Sequence, residues 1–598
     1  MPTAKFRTNA FAWAIFLGAF LLFLAQPIQA RFILPWFGGG PGVWTACLLF
    51  FQCILLVGYA YAHASSRWLP IRTQALVHLA IIGLSLPFLP AIPATAWQPS
   101  SAADVIGRVV MLLAATVGLP AIALAATAPL LQGWFTRVRR EAREDSLHES
   151  QGSFSPYRLY ALSNANAGSL GALVAYPFLV EPLLARQTQA WLWAAGFVAY
   201  AVAAAASAWQ VWQAAPQELA ASDGADTRPQ PAIDITRVGL WFVLSFSGSA
   251  LLAALTARLS QDVAIVPFLW VLPLAIYLLT FIICFERPEW YRRTAFTLVF
   301  AGAVVLLCWQ LAVGERPIVE LIAAYGSGLF VACMVCHGEL HRLRPPVTRH
   351  TAFYLMIAAG GALGGAFVAL VAPRLFATNG EVVATLCLIG LCLAFIHGRE
   401  RTTIAAGGRR WSVWPMIGVA TAALAAVTVV QSREAAEGIL ARSRNFHGTL
   451  RVEDVCPDDP ELHGHRLMHG TINHGAQFVD SVKARMPLTY YTESSGVGLA
   501  IDNLTVPTGR RIGVVGLGVG TLAAYGRQGD IFRFYEIDPA VEPIARKWFT
   551  YLDSSIGTVE VVTGDGRLAL EREANQHFDL LVLDAFSSDA IPIHLLTV

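Results

Sequence analysis

Between Phe11 and Gln431 the chain returns about thirteen times to an apolar run close to the ~20 residues that a bilayer core demands of a spanning helix. Nothing else in the sequence narrows the fold so far. Hydrocarbon offers the backbone no water, so each run must satisfy its own N–H and C=O groups as a helix. Composition agrees: 56% of the 598 residues are hydrophobic and 14% charged, at a mean hydropathy of +0.54, whereas a soluble chain carries roughly 25% charged residues. The lipid bilayer is therefore the expected partner. A net charge of +2 without a basic face argues against nucleic acid. The cysteines lie almost wholly in apolar segments and read as small core residues, not as a disulfide framework.

The loops carry an orientation signal. Alternate loops hold Arg67 and Arg72; Arg137, Arg139, Arg140 and Arg143; Arg287, Arg292 and Arg293; Arg342, Arg344 and Arg349; and Arg399, Arg401, Arg409 and Arg410. The intervening loops hold single arginines, Arg108, Arg186, Arg316 and Arg374. By the positive-inside rule the first set is cytoplasmic, and an odd number of spans puts everything after Gln431 outside. Gln26, Gln52, Asn164 and Asn166 interrupt apolar runs. Interhelical hydrogen bonding is the plain reading, a substrate pathway the sharper one. Cys333-Met-Val-Cys336-His337 matches a haem-attachment pattern on the wrong side of the membrane for that chemistry. With Glu339 and His341 it reads as an interfacial helix end, and no metal site is expected.

Composition changes near Ser432. RNFHGTLRVEDV and HRLMHGTINHGAQF alternate apolar and polar residues between turn signals, which predicts a small β-region over 432–510. From Arg511 an apolar run meets Gly516, Gly518 and Gly520, then a helix-like segment (Thr521 to Gly526) and a second apolar run ending in Glu536-Ile537-Asp538. This order is that of a nucleotide-binding βαβ unit: glycines admit the ligand, a helix N-terminus offers N–H groups, and the acid accepts from ribose hydroxyls. Two further apolar runs end in Gly564-Asp565-Gly566 and in Asp584, with Asp589 in the loop beyond. Taken singly, each acid reads as a helix cap or a solvated loop end. Four in this order do not.

The stretches LPWFGGGPGVWTACLLFFQCILLVGYAYAH, LYALSNANAGSLGALVAYPFLVEP and CHGELHRLRPPVTRHTAFYLMIAAGGALGGAFVALVAPRLF resemble the membrane domain of the fused membrane/spermidine-synthase-like proteins. That domain is major-facilitator-like, yet AHASSRWLPIRT stands where a facilitator carries its Gly/Asp/Arg-rich loop. The strand-end series of the tail resembles the first half of the class I S-adenosylmethionine-dependent fold. The resemblance implies a Rossmann-like domain over 511–598 behind a membrane domain over 1–431. It gives Gly516, Gly518, Gly520, Glu536, Asp565 and Gly566 to the cofactor, with Glu536 on the ribose, Asp565 on the adenine amino group and Asp584 beside the sulfonium.

Within that fold the tail looks most like the polyamine aminopropyltransferases. His474 to Gln477 resembles their glycine–glutamine turn, Tyr490-Tyr491 their substrate tyrosines, and LDAFSSDAIP their Asp-rich gate loop. The implied reaction is attack by a diamine nitrogen, such as that of putrescine, on the propyl carbon of decarboxylated S-adenosylmethionine. Asp584, Asp589 and Tyr491 would be catalytic, and Gln477 would bind the cofactor. Two departures stand out. Val519 occupies the place of the loop aspartate that grips the donor amine, as in a generic methyltransferase using S-adenosylmethionine. The chain also stops after the fourth strand of a seven-strand pattern, as a C-terminally truncated sheet would. Besides aminopropyl transfer, methyl transfer and a transporter or sensor with a non-catalytic tail remain open.

Overall fold

The computed structural model describes residues 2–37, 40–99, 105–144, 162–213, 234–262, 267–312, 317–345, 349–378, 380–401, 403–406, 409–434, 437–470, 472–585 and 595. It is mostly helical up to residue 434 and α/β beyond it. Among the described residues eleven helices are long and apolar enough to cross a membrane, which makes this a multi-pass membrane protein. The sequence count of about thirteen differs at two runs. The described part of the run near Leu170 is a helix, Leu162–Ala175, that continues through a wide turn over Tyr176–Val180 to Glu181–Leu183 and is not among the eleven. The run near Ala420 supplies a shorter apolar stretch, Trp414–Ala426.

The helices are α1 (Pro2–Ile33), α2 (Pro41–Trp68), α3 (Ile71–Ser85), α4 (Val105–Leu113), α5 (Leu119–Glu144), α6 (Leu162–Ala175), α7 (Arg186–Gln213), α8 (Ile235–Asp262), α9 (Pro267–Glu286), α10 (Arg293–Ala312), α11 (Ile318–Arg342), α12 (His350–Ala366), α13 (Gly380–Arg399) and α14 (Val413–Glu434). A hairpin of β1 (Thr403–Ala406) and β2 (Arg409–Ser412), not foreseen in the sequence, joins α13 to α14. Hydroxyls inside the helices bond the carbonyl four residues back, Thr127 to Ala123 (2.8 Å) and Thr256 to Leu252 (2.7 Å). That is how an apolar setting without water satisfies them. Gly360 and Gly364 of α12 let α8 come so close that a Cβ there would lie 2.4 and 2.5 Å from the Phe242 and Phe246 carbonyl oxygens. Cys333 and Cys336 are buried free thiols in α11, His337 bonds Thr280 (3.0 Å), and Glu339 pairs with Arg293 (2.9 Å). These contacts fit the interfacial reading of that motif.

The region after α14 contains two sheets. Strands β3 (Ile439–Arg444), β4 (Thr449–Val455), β5 (Gly464–His469) and β6 (Ile472–Phe478) form an antiparallel meander. A short helix α15 (Gly496–Asp502) leads into a parallel sheet ordered β10-β7-β8-β9, with β7 (Arg511–Val515), β8 (Ile531–Glu536), β9 (Thr558–Thr563) and β10 (Leu580–Leu583). Helices α16 (Val541–Trp548) and α17 (Gly566–Arg572) follow β8 and β9. The helix-like segment after the glycine loop is a five-residue 3-10 turn, Thr521–Tyr525. Leu450, Val452 and Leu467 of the meander share one apolar core with Ile512, Val514, Phe532 and Phe534 of the parallel sheet.

The two parts of the chain meet at one end of the bundle. Arg444 of β3 forms a bidentate pair with Glu381 at the start of α13 (3.0 and 2.6 Å), both buried. Phe446 packs beside Gly42, and Arg572 donates to the Pro99 carbonyl (2.9 Å). At the far end of α13, about 30 Å away for a helix of this length, Arg399 pairs with Asp234, and Arg293 and Arg342 pair with Glu400. The α/β region therefore caps the end of the bundle remote from this arginine cluster.

Candidate nucleotide-binding site

The chain runs β7, β8, β9 in one direction across the sheet and returns to lay β10 on the other side of β7. Open α/β sheets bind ligands at the carboxyl ends of the strands, at such a reversal. Here the reversal lies between Val515 and Leu583, which are paired in register. The chain after β7 is the glycine loop, with Gly516 and Gly518 at φ of +106° and +54°, a region that side chains with a Cβ avoid. Each is also crowded: a Cβ would sit 2.5 Å from the Asp584 carbonyl oxygen at Gly516 and 2.6 Å from that of His474 at Gly518.

A cavity of about 110 Å³ opens here, lined by Tyr491, Gly516, Gly518, Glu536, Asp565, Gly566 and Asp584 together. The Glu536 carboxylate accepts from the Leu517 N–H (3.0 Å) and the Asp538 N–H (2.8 Å). Burial still pushes its pKa up to about 7, against the pull of those N–H groups. Asp565 caps α17 by accepting from the Leu568 N–H (3.0 Å), so the plain cap reading of this acid holds alongside its place in the cavity. Asp584 accepts from the Tyr491 hydroxyl (2.5 Å). Burial raises the Asp584 pKa to about 6, with the Tyr491 hydrogen bond working the other way. The Tyr491 hydroxyl is itself held well above its ordinary value, first by burial and then by the Asp584 charge.

Three of the expected residues behave differently. Gln477 does not line the cavity: its amide donates to the Ala484 carbonyl and to Thr550 and accepts from the Thr550 N–H (each 2.8 Å), a brace between β6 and the chain after α16. Gly520, at φ +80°, opens the 3-10 turn instead of facing the cavity. Asp589 lies outside the described residues.

No family model matches the chain. Over 96 residues, 15% of its length, it is 36% identical to the polyamine aminopropyltransferase of Vibrio vulnificus (strain CMCP6). The chain covers 31% of that protein, so it spans about a third of the curated relative it matches. A crystal structure of the nucleoside transporter NupG aligns with 71% of this chain and 99% of its own at 13% identity and a TM-score of 0.38. Likeness at that score carries no argument about fold or function.

Sequence reasoning missed one wall of the cavity. His447, His469 and His474 of the meander face the glycine loop, with Asp538 between the two walls. Burial lowers the pKa of all three imidazoles, His474 to about 4, with the Asp538 charge working the other way on His447 and His469. Asp538 accepts from Asn445 (2.6 Å) through one oxygen, while the other is buried without a hydrogen-bond partner among the described residues. No motif marks these histidines. Their strand alternation and the β4–β5 register, which pairs Leu450 with His469, are the only signals that could have placed them. Gly40, from the loop between α1 and α2, also reaches this cavity.

A second cavity, of about 220 Å³, lies inside the bundle among α1, α2, α5, α6, α8, α9 and α12. Gln26, Gln52 and Asn166 line it. Gln52 donates to Ser249 (2.8 Å), which donates to the Gly361 carbonyl (2.8 Å), as interhelical bonding predicts. The carbonyl oxygens of Gln26 and Gln52 and the amide nitrogen of Asn166 have no partner among the described residues. The side chain of Asn164 lies outside them.

Proposed function

We propose that the α/β region is a class I, Rossmann-like S-adenosylmethionine-type domain and that the protein is a membrane-bound aminopropyltransferase-like enzyme. Its donor would be decarboxylated S-adenosylmethionine and its acceptor a diamine such as putrescine. The observation that carries this reading is the convergence of Glu536, Asp565 and Asp584, from three successive strand ends, on one cavity with the glycine loop. The chemistry suits a cationic sulfonium: the cavity offers carboxylates, and burial disfavours the charged form of its histidines. Glu536 would take the ribose hydroxyls, Asp565 the adenine amino group, and Asp584 the attacking amine and its proton. Val519 is buried against Gly475 and offers the donor amine no carboxylate, so methyl transfer from S-adenosylmethionine is the enzymatic alternative.

Equilibrium binding of both donors to the full chain in detergent tests this reading. Glu536→Ala and Asp565→Asn should each weaken binding by roughly 10- to 100-fold, the worth of a charge-assisted hydrogen bond. Asp565→Asn keeps an acceptor for the Leu568 N–H, so the loss is not one of helix capping. A folded protein that binds neither donor would sink the reading.

We infer that this region lies outside the cytoplasm, since it caps the end of the bundle remote from the arginine cluster. Cys456 is its exposed cysteine. A membrane-impermeant maleimide should therefore label right-side-out vesicles, and Cys456→Ser should abolish that labelling. Labelling only in inverted vesicles reverses the orientation. A second reading, a transporter or sensor whose tail binds a nucleoside or polyamine without turnover, is favoured by the amide atoms of Gln26, Gln52 and Asn166 that line the bundle cavity with no partner among the described residues. Donor binding with no transfer from either donor would select it.

A further inference from the structure

We propose that Asp454, His463 and His465 form a binding site for one divalent transition-metal ion of the zinc class, outside the nucleotide cavity. Asp454 in β4 and His465 in β5 are directly paired in register, and His463 precedes β5 by one residue. His463 Nε2 lies 2.7 Å and His465 Nε2 3.8 Å from the same oxygen, Asp454 Oδ1. One ligating atom from each residue falls within 4.8 Å of the other two. Zinc bonds of about 2.0–2.2 Å in tetrahedral array set ligand atoms roughly 3.3–3.5 Å apart. Small side-chain rotations bring these three to that spacing.

The second observation concerns His465. Its Nδ1 lies 3.0 Å from the Trp548 carbonyl oxygen. A carbonyl only accepts, so Nδ1 carries a proton towards Trp548, and Nε2 is the ring atom left on the Asp454 side. That nitrogen lies 3.8 Å from Asp454 Oδ1, too far for a hydrogen bond and close to the spacing of two ligands on one ion. Ligating histidines are commonly oriented in this way, with the far N–H given to a carbonyl. All three side chains are 21–27% exposed, so an ion can enter and water can complete its shell. Two imidazoles and one carboxylate suit zinc over calcium or magnesium.

The site would brace the nucleotide cavity. His465 holds Trp548 at the end of α16, and its register partner Gln477 holds Thr550, so an ion on His465 ties the meander to the segment that follows β8. The test is zinc titration of the full chain in detergent after chelator stripping, followed by calorimetry and elemental analysis. One equivalent should bind with micromolar or tighter affinity and raise the melting temperature. In Asp454→Asn/His463→Gln that equivalent should be lost or weakened at least tenfold, with no zinc-dependent melting shift and an unchanged gel-filtration profile. Histidines of the bundle then serve as the internal control for other uptake. No uptake by the wild type, or equal uptake by the variant, overturns the proposal. Should the double variant fail to fold, His463→Gln alone decides, because that side chain hydrogen-bonds Asp454.

Discussion

Asp584→Asn should lower the rate of group transfer by roughly 10²- to 10⁴-fold, the range expected for a general base, while donor affinity changes only a few-fold. The Tyr491 hydroxyl can still donate to the new amide oxygen, so the local packing survives. The same substitution should raise thermal stability at neutral pH. The folded-state pKa of Asp584, about 6, lies above the usual carboxylate value because the charge is buried. A raised carboxyl pKa costs the fold stability progressively as pH climbs from the unfolded value through about 6, and an amide avoids that cost. Lower activity with a higher melting temperature separates a lost base from a damaged fold. An unchanged rate would remove Asp584 from the chemistry.

The wild-type profile of kcat/KM against pH should accordingly rise through about 6, as Asp584 ionises. Donor affinity should strengthen through about 7, where Glu536 ionises. Tyr491→Phe removes the hydrogen bond that holds the Asp584 pKa down, so the lower limb should move to higher pH.

Legibility in the sequence followed the range of the interactions. Helices of the bundle were readable because a spanning run is a local property, and the glycine loop and its acids because strand ends repeat a short pattern. What depends on pairing across the chain was not. The histidine wall opposite the glycine loop exists because β4, β5 and β6 adopt a particular register, and a one-residue slip would turn His469 and His474 to the other face. Gln477 has the residue type of a ligand-binding amide, yet its partner Thr550 lies 73 positions away and takes up both ends of it. The metal cluster fails the usual sequence search because its carboxylate and its imidazoles belong to adjacent strands. The helix-like segment at Thr521–Tyr525 is short for a local reason. Its residues suit a helix locally, but Gly526 is packed against Ser555 and Gly557, which leaves no length for further turns.

Asp530→Ala should cost about 3–5 kcal/mol, the usual result of stripping one partner from a fully buried ion pair. Arg510 and Asp530 are each 1% exposed. Asp530 accepts from the Arg510 guanidinium (3.0 and 2.6 Å) and from the backbone N–H groups of Arg510 and Arg527. Arg510 also donates to the carbonyls of Ile501 and Tyr525 (3.0 Å each). The pair thus fixes where α15 ends, where β7 begins and how the turn before β8 closes, all from below the glycine loop. Removing the carboxylate leaves a guanidinium in an apolar core with two of its four hydrogen bonds gone. Burial alone would raise the Asp530 pKa, but the Arg510 and backbone hydrogen bonds outweigh it and hold the group below the usual carboxylate range. The stability it contributes is present above the unfolded pKa and is lost as pH falls through the folded one. Hydrogen exchange on the full chain reads the effect directly. Protection of β7 and β8 should collapse in Asp530→Ala while that of α8 and α12 stays, and donor binding should vanish with it. Undiminished protection of β7 would show that the sheet holds the glycine loop without this pair.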